Sequence, residues 1–146
     1  MREILFRGKR IDNGKWVEGE MLHDMQDRPY IYWKTPKELP IVFSNHAIVR
    51  PETVGQFTGL TDKNGKKIFE GDIVRGRHWT SYNNKNPEDF HSWRVDWSEK
   101  SGLITFADSP TTKARLSIHD FADFGEVEVI GNIHDNPELL EVNDNA

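Results

Sequence analysis

The chain has 146 residues, a formal net charge of −5 at pH 7 and no cysteine. This length predicts one compact domain, with two small β lobes as the alternative. The missing thiols exclude disulfides, thiolate zinc sites and cysteine nucleophiles, and the acidic balance disfavours a general affinity for polyanions. No apolar run approaches the length of a membrane span and the first residues lack the apolar region of a signal peptide, so we expect a cytoplasmic protein.

The N-terminal third of the chain predicts a β-meander. Its predicted strands are residues 3–9, 15–22 and 30–33 and the short run 41–43. Asp12-Asn13-Gly14 lies between the first two strands and is a hairpin signal. We therefore expect a meander over residues 1–47.

Residues 54–74 predict a hairpin followed by the start of a further strand. Asn64-Gly65 separates two short apolar runs, and this dipeptide favours the positive φ angles of a tight reversal. Ile73-Val74 is a β-branched pair, which is typical of a strand. Glycines at 55, 59, 65 and 71 disfavour a helix, because each costs about 1 kcal/mol relative to alanine in a helix interior.

The pattern changes after this stretch. Residues 76–91 contain three asparagines and few aliphatic side chains, which predicts a long loop. Trp93, Val95 and Trp97 then alternate on one face of a strand, a pattern more typical of a core than of a binding face. If that stripe were exposed, it would mark an interface with a partner or a second copy.

The rest of the chain predicts more short strands and a final helical turn. The remaining predicted strands are 103–106, 114–119 and 126–133, and Asn136 caps a turn that begins at Pro137. Short strands with glycine bends indicate a small SH3-like barrel over residues 48–146. The expected fold is mainly β, with the N-terminal meander of residues 1–47 packed on that barrel.

Three groups of residues resemble the YopX family of phage and prophage proteins. They are Phe6–Lys9 with Gly14–Gly19, then Pro51–Leu60 with Asp62–Lys66 and Phe69–Val74, and finally Val129–Leu140. The groups occur in the family's order and span nearly the whole chain. The resemblance implies a mainly β protein of a phage or prophage, without an established activity and within the cytoplasm of a bacterial host. It transfers no catalytic residues.

The predicted long loop interleaves basic and aromatic side chains. We predict contact with a partner or with nucleic acid at Arg75, Arg77, His78, Trp79, Tyr82 and Lys85. Such a mixture can stack bases and neutralise phosphates of a single strand. Glu88 and Asp89 in the same loop favour an ordinary solvated loop instead.

Two other kinds of polar group are candidates for catalysis. Three His-Asp pairs, at residues 23–24, 119–120 and 134–135, hold residue types that can bind divalent metal, but neighbours in a strand point to opposite faces. Glu70 and Asp72 flank a glycine and can serve as acid and base, but aspartate at such a strand entry commonly accepts from backbone N–H groups. The chain has no nucleophile elbow or phosphate loop. We therefore predict no catalytic residue, no metal and no cofactor.

These expectations favour a non-enzymatic binding protein whose partner is a protein, either a second copy or a host protein. Exposed edge strands in small β lobes favour homo-oligomers through strand addition. One alternative is single-stranded nucleic-acid binding through residues 75–85. A further alternative is a metal-dependent hydrolase that uses His119, Asp120, His134 and Asp135. No interpretation involves a membrane.

Overall fold

A computed structural model describes residues 3–33, 45–77, 90–99, 103–112, 116–117 and 127–141. The described part is mainly β and its strand pairs are antiparallel, as predicted. Its strands are β1 (Phe6–Lys9), β2 (Trp16–His23), β3 (Pro29–Trp33), β4 (Asn45–Ile48), β5 (Gly55–Thr61), β6 (Lys67–Phe69), β7 (Asp72–Arg77), β8 (Phe90–Ser98), β9 (Leu103–Ala107), β10 (Leu116–Ser117) and β11 (Glu128–Asn132). The described residues also include the short 3₁₀ helices Pro51–Thr53 and Pro137–Leu140.

The chain divides into two compact units, residues 1–57 and 58–146. The first unit runs past the predicted end of the meander at residue 47 because β5 begins beside β1, where Gly55 lies opposite Arg7. Within the first unit the strand order is β4-β3-β2-β1-β5. That the chain is a single YopX-like unit, with regions 1–47 and 48–146, stays a prediction.

The predicted hairpin at Asp12-Asn13-Gly14 joins β1 to β2. The Arg10 N–H donates to the Lys15 carbonyl oxygen at 2.9 Å, which closes the reversal. Gly14 has a φ of 71°, which the missing Cβ makes inexpensive. The turn fixes a register in which Gly8 lies opposite Val17.

The first sheet curls, so that the end of β1 meets the residues after β4. Arg10 and Val49 form an antiparallel bridge, and the Arg50 N–H donates to the Lys9 carbonyl oxygen at 2.9 Å. The close approach depends on Gly8, because a Cβ there would lie 2.8 Å from the Val49 Cβ. Val49 is fully buried as a result.

The second unit contains the larger apolar core. There the end of β5 lies beside β6, and a five-stranded sheet has the order β10-β9-β8-β7-β11. Its core consists of Ile68, Val74, Trp93, Val95, Ile104, Phe106 and Val127. The prediction that Trp93 and Val95 are core residues is confirmed. Trp97 differs, because it is 46% exposed near the end of β8.

The predicted reversal at residues 62–65 is confirmed, with one difference. The Asp62 N–H donates to the Lys66 carbonyl oxygen at 2.7 Å, and Gly65 has a φ of 80°. Asn64 does not adopt a positive φ, so the turn is not the Asn-Gly type that was expected. The Asp62 carboxylate also stabilises the turn, because its Oδ1 accepts from the Asn64 and Lys66 N–H groups.

Several predicted boundaries change. The predicted loop over residues 76–91 is shorter at both ends, because Gly76 pairs with His91 and Arg77 with Phe90. An SH3-like barrel is not shown, because neither sheet closes within the residues that the structure describes. The predicted strand 41–43 and most of the predicted strand 114–119 lie outside the described residues.

The C-terminal helical turn forms as predicted from Pro137, but its cap works differently. The Asn136 side chain makes no cap hydrogen bond. Its Oδ1 atom instead accepts from the Asn132 N–H at 3.3 Å, next to the irregularity where the β7–β11 register shifts. The Asn136 backbone carbonyl caps the turn by accepting from the Leu139 N–H.

Candidate functional site

One face of the first sheet carries two partly exposed tyrosines and a half-exposed leucine. The register places Leu22 opposite Tyr30, and Tyr30 opposite Ile48. Side chains alternate along a strand, so the neighbours Ile31 and Ala47 point to the other face, where both are buried. We call the side of Tyr30 and Tyr32 the outer face.

The outer face contains an open cavity of about 460 Å³. Its lining residues are Glu20, Leu22, Asp24, Tyr30, Tyr32, His46 and Ile48. This volume lies within the usual range for ligand sites, roughly 300–1,000 Å³, and the mixture of rings, aliphatic groups and a few charges is typical of them. Leu22 is 50% exposed there, which leaves apolar surface for a ligand to cover.

A second cavity of about 300 Å³ adjoins the first and shares Glu20 and Tyr32 with it. Its other lining residues are Glu3, Ile4, Leu5, Glu18, Gly19 and Trp33. We call the two cavities together the outer groove. No lysine or arginine is among the described residues that line it.

Two contacts give the groove its shape. The Tyr30 and His46 rings meet edge to face, with centroids 5.9 Å apart, which orients both rings across the β3–β4 pair. At the start of β3, Asp24 holds the β2–β3 turn: its Oδ1 accepts from the Gln26 and Arg28 N–H groups, and its Oδ2 accepts from the Arg28 guanidinium at 2.7 Å.

The carboxylates of the groove differ in what they contact. Hydrogen bonds from the Arg28 backbone and side chain, opposed by desolvation, hold the pKa of Asp24 below its usual value. The Asp24 charge is therefore already compensated by Arg28. Glu20 is exposed, and no hydrogen bond or ion pair joins its carboxylate to another residue within the described ranges. Glu20 is therefore a carboxylate of the first cavity that a ligand can reach without displacing a described partner.

The residues predicted as contacts in the long loop are only partly described. Arg75 lies on β7, is exposed, and places its guanidinium carbon 5.2 Å from the centre of the Phe90 ring. Arg77 ends β7 and occupies the position opposite Phe90. The other predicted contacts, His78, Trp79, Tyr82 and Lys85, lie outside the described residues. The structure thus brings one predicted basic group onto an aromatic ring, on the face of β7 away from the core.

The acidic and His-Asp groups take structural places where they are described. Asp72 is buried and its Oδ2 accepts from the Phe69 N–H at 2.8 Å, as predicted for an aspartate at a strand entry. His134 and Asp135 donate their backbone N–H groups to the Asn132 side chain and so form a turn. The pair at residues 119–120 lies outside the described ranges, and the described residues bring no three His, Asp or Glu side chains together as a metal site.

Comparison with known proteins places the chain in a family. The family described as YopX protein matches residues 5–141. The chain belongs to the YopX family. Among solved structures, the crystal structure of protein EF1440 from Enterococcus faecalis is similar, with a TM-score of 0.51 and 22% identity over 97% of this chain and 100% of that one. No curated protein matches the chain.

The similarity to the solved structure concerns the fold alone. Family membership likewise assigns no residue to a function, so the outer groove is identified by its geometry. Within the described ranges of this YopX protein, no helix is long and apolar enough to cross a membrane.

Sequence patterns did not predict the groove, although a signal was present. Tyr30-Ile31-Tyr32 alternates two amphipathic rings around one aliphatic residue, and Glu18 and Glu20 have the same spacing on β2. A period of two places each pair on one face of its strand. What the sequence did not show is that β2 and β3 align these two faces, since that depends on the register.

Proposed function

We propose that this protein is a non-enzymatic binding module of a phage or prophage, and that its outer groove takes up a segment of a protein partner. The observation that carries the proposal is the pair of adjoining cavities lined by tyrosines, aliphatic groups and carboxylates. Tyrosine is enriched where proteins bind proteins, since its ring buries apolar area while its hydroxyl stays hydrated.

Charge supports a protein segment over a nucleic acid at this place. The groove contributes carboxylates and no described lysine or arginine, whereas a phosphate backbone needs basic side chains. Half-exposed Leu22 and the partly exposed Ile48 suit the apolar side chains of a peptide.

The test is capture of proteins from host lysate by the tagged full-length chain, with and without nuclease, using wild type and two variants. Leu22→Arg puts a long cation into the groove at an exposed position, so the fold is retained. Trp97→Arg makes a comparable change at the exposed tryptophan of the second unit. We expect that wild type and Trp97→Arg capture a host protein with or without nuclease, and that Leu22→Arg does not capture it.

Other outcomes contradict the proposal in distinct ways. Retention by Leu22→Arg would exclude the groove as the docking surface. Loss in Trp97→Arg alone would move the interface to the end of β8. Loss on nuclease treatment would favour binding through nucleic acid.

A second candidate function is single-stranded nucleic-acid binding through residues 75–85, with the stacked Arg75 and Phe90 as the observation in its favour. It predicts that Arg75→Gln weakens binding of an oligothymidylate and that affinity falls as salt rises. Binding that is absent, or independent of salt, would remove this candidate.

A further inference from the structure

The outer groove differs from a neutral protein-binding surface in the placement of its charge. Glu20 and Tyr32 line both cavities and therefore lie at the middle of the groove. They are direct partners across the β2–β3 pair, so the carboxylate and the ring are held side by side by the backbone register. Glu18 follows two residues earlier on the same face of β2 and lines the second cavity.

A side chain entering at this point meets a carboxylate and the faces or edges of two tyrosine rings. A ring face attracts a cation through its quadrupole, and a carboxylate attracts it directly. Arg7 lies opposite Glu18 across the β1–β2 pair, but Glu20 lines both cavities, and the described lining contains no lysine or arginine that an anionic side chain could meet there. A purely apolar side chain would cover Leu22 and Ile48 but would desolvate Glu20 without a partner.

We infer that the outer groove selects a basic segment, an extended stretch of a partner protein in which a lysine or arginine lies two residues from an aliphatic residue. Alternate positions of an extended segment point the same way, so the cationic group lies against Glu20 and Tyr32 while the aliphatic side chain covers Leu22 and Ile48. A second cation, two residues along in the other direction, reaches Glu18 or Glu3 in the adjoining cavity. This inference rests on the proposed protein-binding function and adds the chemistry of the bound segment.

The selectivity is tested with three N-acetylated, C-amidated peptides, Gly-Val-Ser-Xaa-Ser-Xaa-Gly, in which Xaa is Lys, Gln or Glu and the valine lies on the same face as both Xaa side chains. Each is titrated into the full-length protein at low salt while backbone amide chemical shifts are followed. We expect the Lys peptide to bind about fivefold more tightly than the Gln peptide, with shifts on β2 and β3, and the Glu peptide to bind most weakly. The preference for Lys should shrink at high salt.

Two pairs of variants assign the preference to named groups. Glu20→Gln should remove most of the difference between the Lys and Gln peptides. Glu52→Gln removes one exposed carboxylate from the 3₁₀ helix of the same unit, outside the groove, and should leave the difference unchanged. Tyr32→Phe keeps the ring and should retain Lys binding, whereas Tyr32→Leu should weaken it.

Each remaining result overturns the inference. Equal affinity of the Lys and Gln peptides would show a groove that does not select charge. Equal losses in Glu20→Gln and Glu52→Gln would indicate attraction to the net charge of the protein. Absence of Lys binding at about 1 mM peptide would also reject the inference. In these cases the Leu22-dependent capture of a host protein shows whether the proposed function fails too or stands without the selectivity.

Discussion

The two units of this protein place their aromatic residues in opposite ways. In the second unit Phe69, Trp93 and Phe106 are each at most 2% exposed and fill the interior. In the first unit the tyrosines and Trp16 stay partly exposed on the outer face, and the buried interior is made of Ile31, Ala47, Val49 and Phe57 with glycines between them. Apart from Phe57, the described rings of the first unit stay at least partly exposed, whereas the three largest buried rings of the second unit serve packing.

The first unit has less aromatic volume in its interior, and its strands fill that interior by approaching each other closely. Phe57 is the one buried ring among the described residues of this unit, and the curled sheet brings strands together where a residue carries no Cβ, so that Gly8 packs directly on Val49. Trp16 is held on the outer face by the Arg7 guanidinium, 4.8 Å from the ring centre. A surface ring with such a fixed partner keeps its orientation without being buried.

The largest expected effect is the difference in stability loss between removing a buried ring and removing a partly exposed one. Trp93→Ala removes a side chain that is 1% exposed in the second unit, and we expect a loss of about 3–5 kcal/mol in the free energy of unfolding. Tyr30→Ala, on the half-buried outer face, should cost about 1 kcal/mol. Urea unfolding followed by circular dichroism measures both values. Equal losses would contradict the division between a packing unit and a contact unit.

The next effect concerns the close approach in the first unit. Gly8→Ala places a Cβ 2.8 Å from the Val49 Cβ, a distance that forces the strands apart, so we expect a loss of about 1–3 kcal/mol in unfolding free energy. Val49→Ala keeps the Val49 Cβ but removes Cγ1 and Cγ2, which would lie 3.0 and 2.8 Å from the added Cβ, and so relieves part of the overlap. The double variant should therefore lose less than the sum of the two single losses. Simple additivity in urea unfolding would show that Gly8 is not selected by this contact.

Local patterns predicted the fold more fully than they predicted the site. The hairpin at Asp12-Asn13-Gly14, the buried Trp93 and Val95, and the backbone role of Asp72 follow from turn preferences and alternation, which act over a few residues. Closure of a barrel and the outer groove depend on which strands become neighbours and in which register. Those are non-local choices that a short pattern does not encode.

The second unit also depends on a buried carboxylate that the sequence pattern assigned only to a turn. Asp62 accepts from the Asn64 and Lys66 N–H groups within its hairpin and from the Val129 N–H of β11 at 3.0 Å. Burial raises the pKa of Asp62, but these three donors together outweigh it, so the pKa lies below its usual value. The charge therefore links the β5–β6 hairpin to β11.

Asp62→Asn should lower the free energy of unfolding by about 1–2 kcal/mol at neutral pH, because an amide offers one acceptor oxygen in place of two. The folded-state pKa is depressed, so the contribution is complete above the unfolded pKa of about 3.9 and is lost as pH falls through the folded value. The difference in unfolding free energy between wild type and Asp62→Asn should thus become smaller below about pH 4.

Urea titrations over a pH series measure the Asp62 difference. Glu99→Gln is the control, an exposed carboxylate in the turn after β8 of the same unit. We expect Glu99→Gln to have the same free energy of unfolding as wild type at every pH. A difference for Asp62→Asn that stays constant into acid would indicate that packing of the side chain, and not its charge, supplies the stability.

The smallest effect on stability is expected at Asp24. This residue lines the groove, but its carboxylate already forms an ion pair with Arg28. Its pKa is lowered chiefly by the Arg28 backbone N–H, and its carboxylate organises a turn in which Asp27 adopts a φ of 61°. Asp24→Asn should leave the urea midpoint unchanged and speed hydrogen exchange at the Gln26 and Arg28 amides.

The same variant sharpens the assignment of charge within the groove. Because Arg28 already compensates Asp24, Asp24→Asn should change affinity for the Lys peptide by less than about twofold, whereas Glu20→Gln should remove most of the preference for Lys. Glu52→Gln serves again as the control for net charge. If Asp24→Asn weakened the Lys peptide as much as Glu20→Gln did, the bound cation would lie at the β2–β3 turn, and the middle of the groove would hold the aliphatic side chain instead.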